Sequence, residues 1–330
     1  MPQIILIGFG AGVASALLFA AVSTGSLLAV GLFYLAPLPI LLAGMAWSHI
    51  AGAAAAAIAA FTVGIFLGPW FALSFLIGVG LPAAILAYLA LLARPEPSAP
   101  GGLDWYPPGR LVLATAIIAA LTVSLAILNF GLDFESYQKG LRSAIERVLR
   151  AQFGTPAGTP LRMPNGGDPS RLIDLMVTVL PPMAALLMML TNLANLWFAA
   201  RIARSSGRLK RPWPAIPAMT LPTTTSIVLT AMLALSFLSG MIALVAAVFA
   251  ATLFMAYAAI GLAVVHSITA GLAVRTFILG AVWALVLVLG WPLVLAAIIG
   301  LADAALGLRG RFAGRGGPPS QPHLPGNPKE

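Results

Sequence analysis

The residues with the chemistry to hold a ligand are few and uncharged. Thr191, Asn192 and Asn195 place a hydroxyl and two carboxamides on one stripe of an apolar segment. Asn192 stands nine residues ahead of Arg201, about 13 Å at the helical rise of 1.5 Å per residue, hence close to mid-bilayer. An amide at that depth needs a partner, either a neighbouring helix or a bound molecule. Interhelical bonds of this kind average about 0.6 kcal/mol in membranes. Pro37 and Pro39 interrupt a second apolar segment, and each removes a backbone donor. In transporters such breaks mark binding sites, because carbonyls and half-helix ends face a cavity. In other membrane helices neighbours simply satisfy the freed groups. Pro37, Pro39, Asn192 and Asn195 are the candidate ligand-binding residues. If they form one polar cavity, they must meet in space.

Other chemistries find little support. There is no cysteine, and His49, His266 and His323 lie far apart in sequence, so no metal site is expected. The chain has no His-Glu-x-x-His, no serine nucleophile elbow and no phosphate-cradling glycine loop with a lysine. Paired carboxylates for acid/base work are missing from the apolar segments. The pattern argues against an enzyme and implies no cofactor. His266, followed by Ser267 and Thr269, reads as a hydrogen-bonding residue rather than a proton relay. Arg275 and Asp303 are the oppositely charged pair of the last apolar hairpin. A turn near Gly290 would leave their depths about 5 Å apart. They are expected to pair and lock the hairpin, with Arg309 a rival partner for Asp303.

The elements that must position these groups are membrane helices. The chain is 60% hydrophobic and 8% charged, with a mean hydropathy of +1.00, whereas a soluble domain carries about 25% charged residues. Residues 1–93 contain no Lys, Arg, Asp or Glu. The composition predicts an all-α polytopic helical membrane bundle of about 8–10 transmembrane helices plus one amphipathic surface helix. The spans are expected at 4–22, 25–44, 47–67, 70–93, 111–131, 171–200, 221–239, 241–265, 270–289 and 291–306. Residues 1–308 then form an integral membrane domain, and 309–330 a disordered, basic and Pro-rich cytoplasmic tail.

Residues 133–152 read differently. Phe134, Tyr137, Leu141, Ile145, Val148 and Leu149 recur at helical spacing, with charged residues on the other face. Glu135 with Lys139 and Glu146 with Arg150 are spaced for i,i+4 ion pairs. This helix lies on the membrane or caps the bundle. A Gly-, Pro- and Thr-rich loop follows at 154–167, then Asp168 as an N-cap with Pro169 at the first helical position. Small residues at Gly52, Ala56, Ala60, Gly64 and Gly68, and at Gly8 and Gly12, form ridges for close helix packing.

The net charge of +9 sits in short loops between apolar segments, which points to topology signalling and anionic lipid rather than to nucleic acid. The cluster Arg201, Arg204, Arg208, Lys210 and Arg211 reads as cytoplasmic, as do the 94–110 loop and the C-terminus. The amphipathic helix then lies outside.

Several short stretches carry a family resemblance. They are Ala36-Pro37-Leu38-Pro39-Ile40, the run from Leu180-Pro181 through Asn192, Arg201 and Gly207 to Leu221-Pro222, residues 261–266, and Gly300-Leu301-Ala302-Asp303 with Arg309. Together they resemble the uncharacterised YybS-type bacterial integral membrane proteins over residues 1 to about 310. That family is distantly similar to the substrate-binding subunits of energy-coupling-factor transporters. The family carries no established substrate or activity. The leading reading is a non-enzymatic inner-membrane protein resembling a transporter substrate-binding subunit that binds a small or lipid-like molecule, with active transport requiring a separate ATPase or coupling subunit. The alternative is a structural or regulatory protein that binds other cytoplasmic proteins through its loops.

Overall fold

A computed structural model describes residues 2–156, 159, 169–215, 217 and 219–313. The uncharged N-terminal stretch forms α1 (Pro2–Ala20), α2 (Leu27–Tyr34), α3 (Pro37–Ala46), α4 (His49–Leu67), α5 (Pro69–Phe75) and α6 (Leu81–Ala90). Serines start two of them: Ser26 accepts from the Ala29 N–H and Ser48 from the Ala51 N–H, both at 3.2 Å. Each supplies a first-turn partner that apolar surroundings cannot. Two short strands, β1 (Ala93–Pro95) and β2 (Leu103–Trp105), pair antiparallel, followed by α7 (Pro108–Ile127), α8 (Phe134–Phe153), α9 (Pro169–Ser205) and α10 (Thr224–Ser236). The remainder is α11 (Gly240–Ile268), α12 (Arg275–Leu289), α13 (Pro292–Leu306) and α14 (Leu308–Ala313).

The chain is thus an all-α polytopic bundle. Among the described residues seven helical stretches are long and apolar enough to cross a bilayer, and α10, α12 and α13 are shorter apolar helices. These three stand at expected spans: α10 stops three residues inside each expected end, α12 starts five residues late, and α13 matches to within one residue. At 13 to 15 residues they reach about 20–22 Å, against about 30 Å of hydrocarbon. Their limits have local causes. Pro222 precedes α10, and glycines at positive φ break the chain at Gly240, Gly271 and Gly290.

Two compact units divide the chain: Met1–Pro214 with Leu221–Ala256, and Ala215–Thr220 with Tyr257–Glu330. In the first, α4 packs on α1, α3, α5 and α6, while α9 packs on α3, α7 and α8. The small-residue ridges serve this packing. A Cβ on Gly8 would stand 2.9 Å from that of Ala54, and one on Gly12 would stand 2.8 Å from the Ala55 carbonyl oxygen. Gly52 meets Gly44 in the same way, at 2.9 Å from its Cα. Backbones this close gain dispersion contacts that lipid cannot match. Gly68 stands apart from the ridge, at φ 103° with open space around it. Leucines and phenylalanines such as Leu27 and Phe66 point outward, 90% and 79% exposed, as lipid-facing side chains do.

Helix α8 is the amphipathic element expected. Tyr137, Ile145 and Leu149 are buried, with Phe134 and Leu141 packed beside them on the N-terminal half of α9. Val148 departs from the expected stripe and is 64% exposed, because the i,i+4 row 137–141–145–149 faces α9 and leaves position 148 to one side. Asp133 caps the helix, accepting from the Ser136 N–H at 2.9 Å. Lys139 and Glu135 pair at 2.6 Å. The expected pair of Glu146 with Arg150 does not form, since Arg150 Nη1 donates instead to the Pro156 and Thr159 carbonyls at 3.2 and 2.7 Å. Two carbonyl acceptors in fixed positions outweigh one mobile surface carboxylate. Arg142 pairs with Asp174 of α9. Helix α9 begins at Pro169 as expected, while Asp168 and residues 157, 158 and 160–167 of the loop lie outside the described residues.

The opposite end of α9 gathers the basic cluster. Arg208 lies over the Trp47 ring at 4.8 Å and Arg204 over Trp213 at 4.9 Å. Lys210 donates to the Trp47 carbonyl at 3.1 Å. Arg211 is 8% exposed and reaches the C-terminal carbonyl of α6, Ala90, at 2.9 Å and the Tyr106 carbonyl at 3.3 Å. A cation suits that negative helix end, and burial pulls the Arg211 pKa below its ordinary value. The 94–110 hairpin and residues 201–211 therefore share one end of this unit.

In the second unit α11 and α13 touch backbone to backbone. A Cβ on Gly261 would fall 1.7 Å from the Ala296 carbonyl oxygen, and one on Gly300 would fall 2.2 Å from that of Tyr257. Here one expectation fails: Arg275 and Asp303 do not pair. Asp303 Oδ2 instead accepts from Arg309 Nη2 at 2.6 Å and Nε at 2.9 Å, and its Oδ1 accepts from the Arg309 N–H at 3.0 Å. Gly307, at φ 62°, ends α13 and turns the chain so that Arg309 falls beside the carboxylate. Closing a six-residue loop costs less entropy than holding a hairpin in register. Arg275 is half-buried and makes no ion pair among the described residues. The tail begins as the last turns of helix, α14. Residues 314–330 lie outside the described residues.

Candidate functional site: an aromatic cavity beside a broken helix

The expected span 25–44 is two helices. Pro37 and Pro39 carry no N–H, so the chain turns at Leu35 and Ala36 before α3 starts with Pro37 in its first turn. The freed carbonyls find other donors. Leu35 O accepts from the Leu38 N–H at 3.0 Å. Ala36 O accepts from Ser15 Oγ at 2.6 Å, and Tyr34 O from Asn195 Nδ2 at 2.8 Å. The Asn195 amide donates also to the Thr191 carbonyl, again at 2.8 Å.

The break and the polar stripe of α9 are therefore adjacent. The four candidate residues part company in role, however. Asn195 holds the break, and Pro39, half-buried in the first turn of α3, does not line the cavity beside the break. Pro37 and Asn192 both line a cavity of about 480 Å³. Asn192 is 2% exposed, yet its Oδ1 has no hydrogen-bond partner among the described residues, and neither has Asn195 Oδ1.

The other walls are aromatic. Phe19, Phe33 and Tyr34 form one side, with Phe19 and Phe33 centroids 5.3 Å apart and Phe33 and Tyr34 5.5 Å apart. Trp70, Phe71, Ser74 and Gly78 come from the fourth span, and Ala184, Leu187 and Met188 from α9 just beyond Pro181 and Pro182. Trp70, Phe71 and Leu187 are 61%, 49% and 46% exposed, so the cavity opens sideways on a surface that faces lipid. Among the described residues no charged one lines it.

The fourth span owes its shape to Pro82, which has no N–H to give the Gly78 carbonyl four residues back. The chain widens into one π turn, Leu76–Gly80, where the Leu81 N–H reaches the Leu76 carbonyl five residues away. Such turns recur at functional sites, and this one sets Gly78 on the cavity wall. Nothing in the sequence sets Phe19, Phe33, Trp70 or Phe71 apart from their apolar neighbours. The spacing of Gly78 and Pro82 was the available signal for the widened turn.

The histidines add nothing here. His266 Nδ1 lies 2.8 Å from the Leu262 carbonyl and its ring meets Trp283 edge-on. His49 sits against Tyr88, and His323 lies outside the described residues. Among the described residues no three His, Cys, Asp or Glu gather as a metal site.

Fold and cavity together define a multi-pass helical membrane protein. The chain belongs to the family described as "Predicted membrane protein (DUF2232)", which matches residues 13–304. Neither a curated protein nor a solved structure matches it.

Proposed function

We propose that the chain is a non-enzymatic subunit of a bacterial inner-membrane transport system, whose cavity binds a small lipid-soluble molecule. The reading rests on one observation: Asn192, almost fully buried and with an unpartnered amide oxygen, lines a 480 Å³ aromatic cavity. Small-molecule sites are mostly apolar and carry a few well-placed polar groups. The lateral opening suits a molecule that arrives through the bilayer. The YybS-type resemblance, and through it the likeness to energy-coupling-factor substrate-binding subunits, agrees with this role. With residues 201–211 at the cytoplasmic face by the positive-inside rule, an ATPase or coupling subunit would dock at that end.

The test uses the full chain extracted in mild detergent. Native mass spectrometry is expected to show a small-molecule adduct on the wild type and none on Gly78→Leu. Gly78 lines the cavity and a Cβ there meets nothing within 4 Å, so the added side chain starts in open space and takes up cavity volume. An adduct that persists unchanged in Gly78→Leu places the molecule elsewhere. A second reading, partner binding through residues 201–219 without a substrate, draws on the exposed Arg204 and Arg208, whose guanidiniums lie over tryptophan rings. Recovery of an ATPase pair in the same extract favours the first reading, and recovery of other cytoplasmic proteins the second.

A further inference from the structure

We infer that the cavity takes a neutral, planar molecule bearing a carboxamide- or lactam-type edge, a donor beside an acceptor, that pairs with Asn192. The inference rests on the binding role proposed above and names the ligand's chemistry. Asn192 and Asn195 lie nearly one turn apart and are equally buried, each 2% exposed. Asn195 donates to two carbonyls. Asn192 lines the cavity, and its Oδ1 has no hydrogen-bond partner among the described residues. Leaving a buried amide oxygen unpaired costs about 1–3 kcal/mol, a cost that an occupant of the cavity removes.

The form of that occupant follows from the walls. A primary carboxamide presents an acceptor oxygen and a donor nitrogen on one flat edge. Its full complement is a second amide-type edge, which donates to Oδ1 and accepts from Nδ2. An ester or quinone offers acceptors alone and leaves Oδ1 unpaired. A carboxylate or ammonium would bring a charge to a cavity whose lining holds no countercharge, and burying an unpaired ion costs several kcal/mol. The rings of Phe19, Phe33 and Tyr34, tilted and edge-on to one another, suit a planar guest. Entry between Trp70, Phe71 and Leu187 requires solubility in lipid, which limits the guest to little polar surface beyond that edge.

Three probes separate these possibilities: 2-naphthamide, methyl 2-naphthoate and 2-naphthoate. The experiment is a scintillation-proximity assay with tritiated 2-naphthamide on the full-length protein in nanodiscs. Saturable binding to the wild type is expected, with the ester competing about tenfold more weakly, the ratio for one neutral hydrogen bond of about 1.4 kcal/mol. The anion should compete more weakly still. Asn192→Leu should erase the preference for amide over ester, and Gly78→Leu should abolish saturable binding. Ester and amide competing equally on the wild type, with Gly78→Leu still abolishing binding, would overturn the amide edge and leave the cavity's binding role standing. Preferential competition by the anion would overturn a neutral guest. Absence of saturable binding by any probe on the wild type would overturn both readings. The wild-type comparison needs no variant, so a misfolded mutant cannot obscure it.

Discussion

Asn195 donates its side-chain amide to the Tyr34 carbonyl at 2.8 Å, across 161 residues of sequence. That bond closes the gap Pro37 and Pro39 open between α2 and α3, and it ties the break to α9. Asn192, nearly one turn earlier, faces the cavity instead with its oxygen unpaired. Two asparagines of one stripe thus divide between holding the site and offering it a polar group.

Their substitutions should separate accordingly. Asn195→Leu strands the Tyr34 carbonyl and is expected to lower stability by about 1 kcal/mol. Asn192→Leu removes an amide whose oxygen has no partner, and should leave the thermal midpoint of the detergent-solubilised protein unchanged or slightly raised. Equal losses for the two would show that both amides serve the fold.

The adjacency of Pro37 and Asn192 was legible in the sequence because polar and helix-breaking residues are costly in lipid and need partners. The aromatic walls were not legible in the same way. Trp70 and Phe71 have the same apolar character whether they face lipid or a cavity, and no periodicity tells the two apart. The charged residues of α8 gave its existence and its cap but not every partner: Arg150 chose carbonyls over Glu146. Arg275 and Asp303 have similar depths in a hairpin, but the glycine turn at Gly307 delivers the nearer Arg309 to the carboxylate.

The Asp303 and Arg309 pair should matter, and Arg275 should not. The Asp303 side chain is 7% exposed and that of Arg309 15%. Breaking a buried pair by removing one partner typically costs about 3–5 kcal/mol, so Asp303→Asn and Arg309→Leu are each expected to cut the yield of folded protein sharply. Arg275→Ala should be neutral. Exchanging the charges at 303 and 309 should recover only part of the loss, since an arginine at 303 cannot accept from the residue 309 N–H. Size-exclusion chromatography of the five proteins checks the order.

Gly261→Ala and Gly300→Ala should each destabilise the second unit. Their Cβ atoms would fall 1.7 and 2.2 Å from carbonyl oxygens of the facing helix, distances that backbones can relieve only by separating. Overpacking of this kind costs about 1–3 kcal/mol. Gly280→Ala is the control: nothing lies within 4 Å of its Cβ, and alanine favours a helix by up to about 1 kcal/mol. Thermal melts that rank all three alike would contradict the close approach of α11 and α13.

Tyr137 gives α8 an alkaline limit. Its ring is 1% exposed, its hydroxyl donates to the Val177 carbonyl at 3.0 Å, and burial pushes its pKa up to about 12 from an ordinary 10.0. A raised pKa means that the folded state holds its proton where the unfolded segment has lost it. The docked helix therefore keeps this contribution in full below pH 10 and loses it as the pH rises through about 12. Tyr137→Phe cannot ionise, so it should cost about 1 kcal/mol at neutral pH through the lost hydrogen bond and remove Tyr137's share of the alkaline weakening. Hydrogen exchange of residues 137–149, followed from pH 9 to 12 and corrected for the intrinsic rate, reads both effects. Protection falling equally steeply in wild type and Tyr137→Phe would assign the alkaline step to another group.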